Sequence, residues 1–274
     1  MRIDSHQHFW QYHPIKDAWI TDDMQAIKKD FLPTDFLPLL QAAKMDGCIA
    51  VQADQSEAET YFLLSLAQQY PWIKGVVGWV DICADDCAEW LSHFSKYPQL
   101  KGIRHIVQAE KPGYMLQPGF LRGISQLQHW GLSYDILIGH QQLSEATAMV
   151  SRFPEQAFVL NHVAKPAIQS GSIQQWKNDI EQLALYPHVY CKISGMVTEA
   201  SWQAWQQADF MPYLDVVIQA FGCSRIMFGS DWPVCLLAAH YQQVQQIVQS
   251  YFNQFSADEQ ALFWGGNATR FYKL

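Results

Sequence analysis

The sequence predicts an α/β protein, a single (β/α)8 TIM-barrel domain over residues 1–274. Three observations carry that prediction. Eight short, strongly apolar segments recur along the chain, several rich in β-branched residues, as strands covered on both faces of a parallel sheet are. Their starts lie 24 to 44 residues apart, which leaves room for a helix and its loops in every unit. No Pro/Gly/Ser linker, low-complexity tract or internal repeat divides the chain. The alternative, a doubly wound open sheet, is disfavoured because no Gly-x-Gly-x-x-Gly follows the first strand.

In chain order the strands are predicted at 3–9, 47–53, 75–81, 101–107, 133–139, 157–163, 189–194 and 225–230. The second (Gly47-Cys-Ile-Ala-Val51), third (Gly75-Val-Val-Gly78) and sixth (Ala157-Phe-Val-Leu160) are the most explicit. The stretches between them read as helices. In the last long one Val244, Ile247, Val248, Tyr251, Phe252 and Phe255 keep the spacing of a buried helical stripe. Ser256-Ala-Asp-Glu259 then has the pattern of a capping box, and Gly265-Gly266 should break or end the helix it opens.

Composition narrows the function classes. Hydrophobic residues make up 49% and charged residues 16%, so a large core is expected and disorder is not. A net charge of −8 disfavours nucleic-acid and anionic-membrane partners, both of which select basic surfaces. No apolar run approaches the roughly 20 residues of a membrane span. Met1 leads directly into a strand without a basic and apolar leader, and no Cys-x-x-Cys occurs among six scattered cysteines. Free thiols and a cytoplasmic location are therefore expected.

The chemistry collects at strand ends. A barrel builds its active site where its strands finish. The first strand ends in His6-x-His8, two residues of like parity that should project together. The third ends near Trp79 and Asp81, the fourth in Arg104-His105, the sixth in Asn161-His162 followed by Lys165-Pro166, and the eighth in Gly229-Ser230-Asp231-Trp232-Pro233. Histidines and an aspartate from four strands on one rim point to a site rather than to packing.

Together the His6-x-His8 opening, Gly102-Ile-Arg-His105, Asn161-His-Val-Ala-Lys-Pro166, Lys192-Ile-Ser-Gly195, Phe228-Gly-Ser-Asp-Trp-Pro233 and the tail Trp264-Gly-Gly-Asn-Ala-Thr-Arg-Phe-Tyr272 resemble the amidohydrolase superfamily. More narrowly they resemble its sugar-lactonase branch, the L-fuconolactonase-like hydrolases. The resemblance runs over essentially the whole chain. It implies a distorted barrel that opens a cyclic sugar ester to the free aldonic acid, one step after a sugar dehydrogenase in L-fucose degradation or a related route. On that pattern His6, His8, His162 and Asp231 match core positions. Asp231 would be the general base, and its rate contribution should fall in acid. Arg104, His105 and His162 would polarise the carbonyl. Trp79, Trp232, His105 and Lys165 are candidates for substrate contact, as is Trp10.

Superfamily members with two metals bridge them with a carboxylated lysine or a glutamate at the end of strand four or five; here Arg104-His105 stands at the end of strand four, and a permanent cation repels a second dication. No metal is required on this reading. If one is bound, His6, His8, His162 and Asp231 supply ligands that suit zinc or manganese.

Blander roles compete with several of these. Arg104 could pair with the rim carboxylate Asp81, and because Arg104 and His105 differ in parity, His105 falls more naturally behind the rim. Asp4 reads as a buried hydrogen-bonding partner and Lys192 as the partner of a buried carboxylate, while His140 stands either where many superfamily members place a metal ligand after strand five or as a solvated loop residue. The alternative function is a metal-dependent decarboxylase of an aromatic or unsaturated acid on the same fold, and a non-catalytic sugar-acid binder is a third. The sequence is silent on oligomeric state.

Overall fold

The computed structural model describes residues 1–274. Eight parallel strands follow one another in sequence order around the sheet: β1 (Ile3–Gln7), β2 (Gly47–Val51), β3 (Ile73–Gly78), β4 (Leu100–Ile106), β5 (Ser133–Leu137), β6 (Phe158–Leu160), β7 (Val189–Ile193) and β8 (Ile226–Phe228). The last meets the first. Ser5 Oγ donates to the Phe228 carbonyl at 2.5 Å, Asp231 N to His6 O at 2.8 Å and His8 N to Trp232 O at 2.7 Å. The barrel is thereby closed, and each strand has the helical return that a parallel connection needs.

Helices pack around this sheet: α1 (Pro33–Ala42), α2 (Glu57–Gln69), α3 (Cys87–Phe94), α4 (Pro118–Leu127), α5 (Leu143–Val150), α6 (Gln174–Ala184), α7 (Met211–Phe221) and α8 (Tyr241–Phe252). The expected stripe on α8 buries Val244, Ile247, Val248 and Phe252. The expected capping box opens α9 (Ala257–Ala261), with Glu259 N on Ser256 Oγ at 3.3 Å and Ser256 N on Glu259 Oε2 at 2.9 Å. After Gly265-Gly266 the chain continues into α10 (Asn267–Tyr272). Phe271 and Tyr272 of α10 join Ile3, Ile49, Val51, Val77, Val159 and Met227 in a cluster of their own, separate from the larger core between sheet and helices. All six cysteines are free thiols, and no helix is long and apolar enough to cross a membrane.

The strands are shorter at their ends than the sequence suggests, most sharply in β6. It stops at Leu160, and His162, Val163, Ala164 and Lys165 all have positive φ, between 45° and 60°. Non-glycine residues lose roughly 1–2 kcal/mol each in that region. The turn closes on itself through Lys165 N to His162 O at 2.7 Å and is held from outside by Trp176 Nε1, which donates to Val163 O at 2.8 Å, and by His140 Nδ1, 2.9 Å from Lys165 O. Nothing in the local pattern of apolar residues announces such a turn. Strain of this kind is kept where it aims side chains, and here the chain carries His162 and Lys165.

Candidate active site

Four polar side chains converge where β1, β6 and β8 end. Asp231 is the hub, itself at a positive φ of 58°. Its Oδ1 lies 3.3 Å from His8 Nε2, 3.7 Å from His162 Nε2 and 3.9 Å from His6 Nε2. Backbone spacing allows the approach. A Cβ at Gly195 would stand 2.6 Å from His162 Nδ1, and one at Gly229 2.6 Å from His6 Cβ.

Each imidazole is anchored on its far side. His8 Nδ1 faces Val51 O at 2.7 Å and His162 Nδ1 faces Ser194 Oγ at 2.9 Å. His6 is flanked by cations, with Lys192 Nζ 3.3 Å from Nδ1 and Arg104 Nη1 3.2 Å from Nε2. Burial, reinforced by Lys192, holds His6 well below the ordinary imidazole value, and burial brings His162 down to about 3. Both rings are therefore neutral near pH 7. Burial alone would raise the Asp231 carboxyl, but His162, His8 and Lys165 outweigh it and hold it below its usual value. Arg104 is lowered by burial to about 10, still a cation at neutrality. The result is a carboxylate, neutral imidazoles and a guanidinium, all buried, grouped together.

These groups open on a cavity of about 330 Å3, within the usual range for a small-molecule site. His8, Arg104, His162, Lys165 and Asp231 line it, with Trp10, Trp19, Leu137 and Val234 as apolar wall and Gln55 and Gln108 as further polar groups. His6 is fully buried behind that surface.

Three candidates for substrate contact stand elsewhere. Trp232 packs into the core, stacked on Phe36 with ring centroids 4.8 Å apart. Trp79 and His105 form a separate cluster, in which Trp79 Nε1 donates to His105 Nδ1 at 3.3 Å and His105 Nε2 meets Glu110 at 2.9 Å. Opposite parity explains the split, since adjacent residues of β4 send Arg104 inward and His105 behind the rim. Arg104 does not pair with Asp81, which is exposed and accepts from Cys83 N.

Asp4 accepts from His6 N, Ser230 N and Tyr241 OH, and burial raises it to about 6. Trp19, Gln55 and Gln108 are wall residues without a sequence signal. Trp19 and Gln55 sit on loops and Gln108 in a short helical turn over Val107–Ala109, whose paths the hydrophobic pattern does not encode.

His6, His8 and Asp231 are of the residue types that would hold one divalent ion. Zinc bonds of about 2.0–2.2 Å put tetrahedral ligand atoms roughly 3.3–3.6 Å apart, close to the spacings around Asp231. Donor atoms of His6, His8 and Asp231 all lie within 4.8 Å of one another. His162 reaches Asp231 but is not part of that trio. A second dication would meet the Arg104 guanidinium.

Residues 3–274 match the amidohydrolase family. The chain belongs to that family. The L-fucono-1,5-lactonase of Burkholderia multivorans is 39% identical, with 100% of this chain and 96% of that protein aligned. That of Burkholderia ambifaria is 33% identical, with 100% and 96% aligned. A crystal structure of an amidohydrolase from Burkholderia multivorans with bound zinc superimposes with a TM-score of 0.97 at 40% identity, covering 100% of this chain and 99% of the other.

Proposed function

We propose that this amidohydrolase opens a sugar lactone, an aldonolactone of the L-fucono type, to the free acid in cytoplasmic carbohydrate breakdown, as one domain over residues 1–274. The observation that carries the reading is the ionised Asp231 beside neutral His8 and His162, with Arg104 on the wall of the same cavity. Full-length similarity to two L-fucono-1,5-lactonases supports the substrate class.

In the mechanism Arg104 and His162 donate toward the lactone carbonyl oxygen, where negative charge develops. Asp231 takes a proton from water as that water's oxygen bonds to the carbonyl carbon. When the ring C–O bond then breaks, protonated Asp231 returns the proton to the departing alkoxide. The product is the open-chain hydroxy acid, and Asp231 is again a carboxylate. A zinc or manganese ion held by His6, His8 and Asp231 would supply Lewis-acid polarisation of the carbonyl. The reaction does not require it, because Arg104 already provides a fixed positive charge and a lactone is an activated ester.

A metal-dependent decarboxylase is the weaker reading, since the two relatives more than 30% identical to this chain are named as lactonases. Acid release from a panel of sugar lactones, with and without chelator, tests the proposal. Turnover that survives chelation is expected, and the ranking identifies the sugar. Turnover abolished by chelation would overturn the metal-free step, and silence on every lactone would overturn the function.

A further inference from the structure

Below the rim, five buried side chains form one closed ring of contacts. Asp135 on β5 accepts from Lys192 Nζ of β7 at 2.6 Å. Lys192 reaches His6 Nδ1 at 3.3 Å, and His6 Nε2 meets Arg104 Nη1 at 3.2 Å. Arg104 Nη1 lies 3.4 Å from Asn161 Oδ1, and Asn161 Nδ2 returns to Asp135 at 3.0 Å. Tyr272, from α10, adds its hydroxyl to Asp135 at 3.0 Å. Asp135, Lys192, His6 and Asn161 are fully buried and Arg104 is 3% exposed.

Stability alone does not account for this ring. A buried ion pair loses so much hydration that an apolar pair of similar size usually does as well or better, and Val51, Val77, Val159 and Met227 show that the barrel interior takes apolar residues. Asp135 is the one anion in the ring, set against the Arg104 guanidinium and the amine of Lys192, which burial lowers and Asp135 supports as a cation. Its two arms end on different groups of the site. With Nη1 turned to Asn161 and Nη2 on the Gln52 carbonyl, Arg104 has its Nε without a protein partner while the side chain lines the cavity.

We propose that Asp135 is a positioning residue for the reaction, holding His6 through Lys192 and Arg104 through Asn161. The kinetic part rests on the lactonase reading. Without the Asp135 charge, Lys192 and Arg104 repel each other across His6, and the guanidinium loses its aim at the carbonyl oxygen.

The test compares Asp135→Asn with the double variant Asp135→Leu/Lys192→Met, in kcat, KM and Tm. Asp135→Asn should lower kcat about 100-fold, the loss expected for misplacing a group that meets the transition state, with KM changed less than about threefold. The double variant should recover Tm, because an apolar pair replaces the charged one, while kcat stays low. Recovery of kcat together with Tm, or an Asp135→Asn enzyme with wild-type kcat, would overturn the proposal.

Tyr272→Phe keeps the test open should the others not fold. It removes one hydrogen bond and should lower kcat about tenfold at constant KM, and an unchanged kcat would count against positioning. Imidazole 15N shifts of His6 separate this idea from the function itself. A His6 signal that moves in Asp135→Asn, in a protein that opens no lactone, leaves positioning standing and removes the lactonase. An active wild-type enzyme whose His6 signal ignores the substitution removes positioning alone.

Discussion

Two arcs of the same rim each place a histidine against a carboxylate, and they differ in whether the cavity adjoins the pair. On the β3–β4 side His105 meets Glu110 at 2.9 Å, closer than His8 meets Asp231 at 3.3 Å. Yet both His105 ring nitrogens are engaged, by Trp79 and Glu110, and Tyr114 stacks on its face with centroids 5.1 Å apart. Its hydrogen-bonding capacity is used up. Across the barrel, Asp231 faces three imidazoles while His8, His162 and Asp231 themselves remain on the wall of the cavity. His8 is engaged at both nitrogens as well, by Val51 O and Asp231, so what separates the two arcs is the cavity that the Asp231 arc lines.

The sharpest way to break this contrast is Asp231→Asn. It should lower kcat about 10^3-fold, within the span of general acid–base catalysis, with lactone binding kept in a direct titration; an active variant would remove Asp231 as base. Arg104→Met should follow with a loss of about 100-fold in kcat/KM, the scale of one oxyanion donor. That measurement would demote the guanidinium if the loss stayed within a few fold.

The pH profile sharpens the contrast further. On the proposed mechanism Asp231 is a base only when ionised, and its carboxyl lies below the ordinary value, so activity present at pH 7 should be lost only as pH falls through that depressed pKa. His162, at about 3, and His6, lower than an ordinary imidazole, are neutral over the same span. The log kcat/KM profile should therefore be level from pH 7 to about pH 4.5, above the usual carboxylate range. A break near the normal imidazole pKa of about 6.5 would move the base to a histidine.

Trp19 is 43% exposed on the cavity wall, with its ring 6.1 Å from that of Trp10. Trp19→Ala should raise KM roughly tenfold at nearly constant kcat, the worth of an aromatic contact beyond area burial, as read in saturation curves. The smallest effect belongs to the other arc. His105→Ala should cost about 1 kcal/mol of stability in denaturant melts, with kcat/KM changed less than about threefold. A large kinetic loss there would erase the distinction between the arcs.

Much of this was readable along the chain. Short, near-continuous apolar runs marked all eight strands, and motif residues at their ends named His6, His8, Arg104, His162 and Asp231. Two kinds of detail were not. Strand ends were overextended, because Asn161-His162-Val163 continues the apolar run of β6 while the backbone turns left-handed under contacts from Trp176, His140 and Ser194. Side-chain direction was the other. Trp232 belongs to a motif at the rim yet is claimed by Phe31 and Phe36 of the core, with centroids 5.2 Å and 4.8 Å away.

The sequence by itself determined the barrel, the family pattern and the residue types on offer. Those depend on local periodicity and short motifs, which one chain records directly. Only the tertiary structure decided which carboxylate the histidines face, that Lys192 pairs with Asp135 rather than with any other acid, and that His105 is sealed while His8 is not. Each of these is a contact between residues far apart in sequence, and its energy comes from burial and charge at a closure of the barrel that no local segment contains.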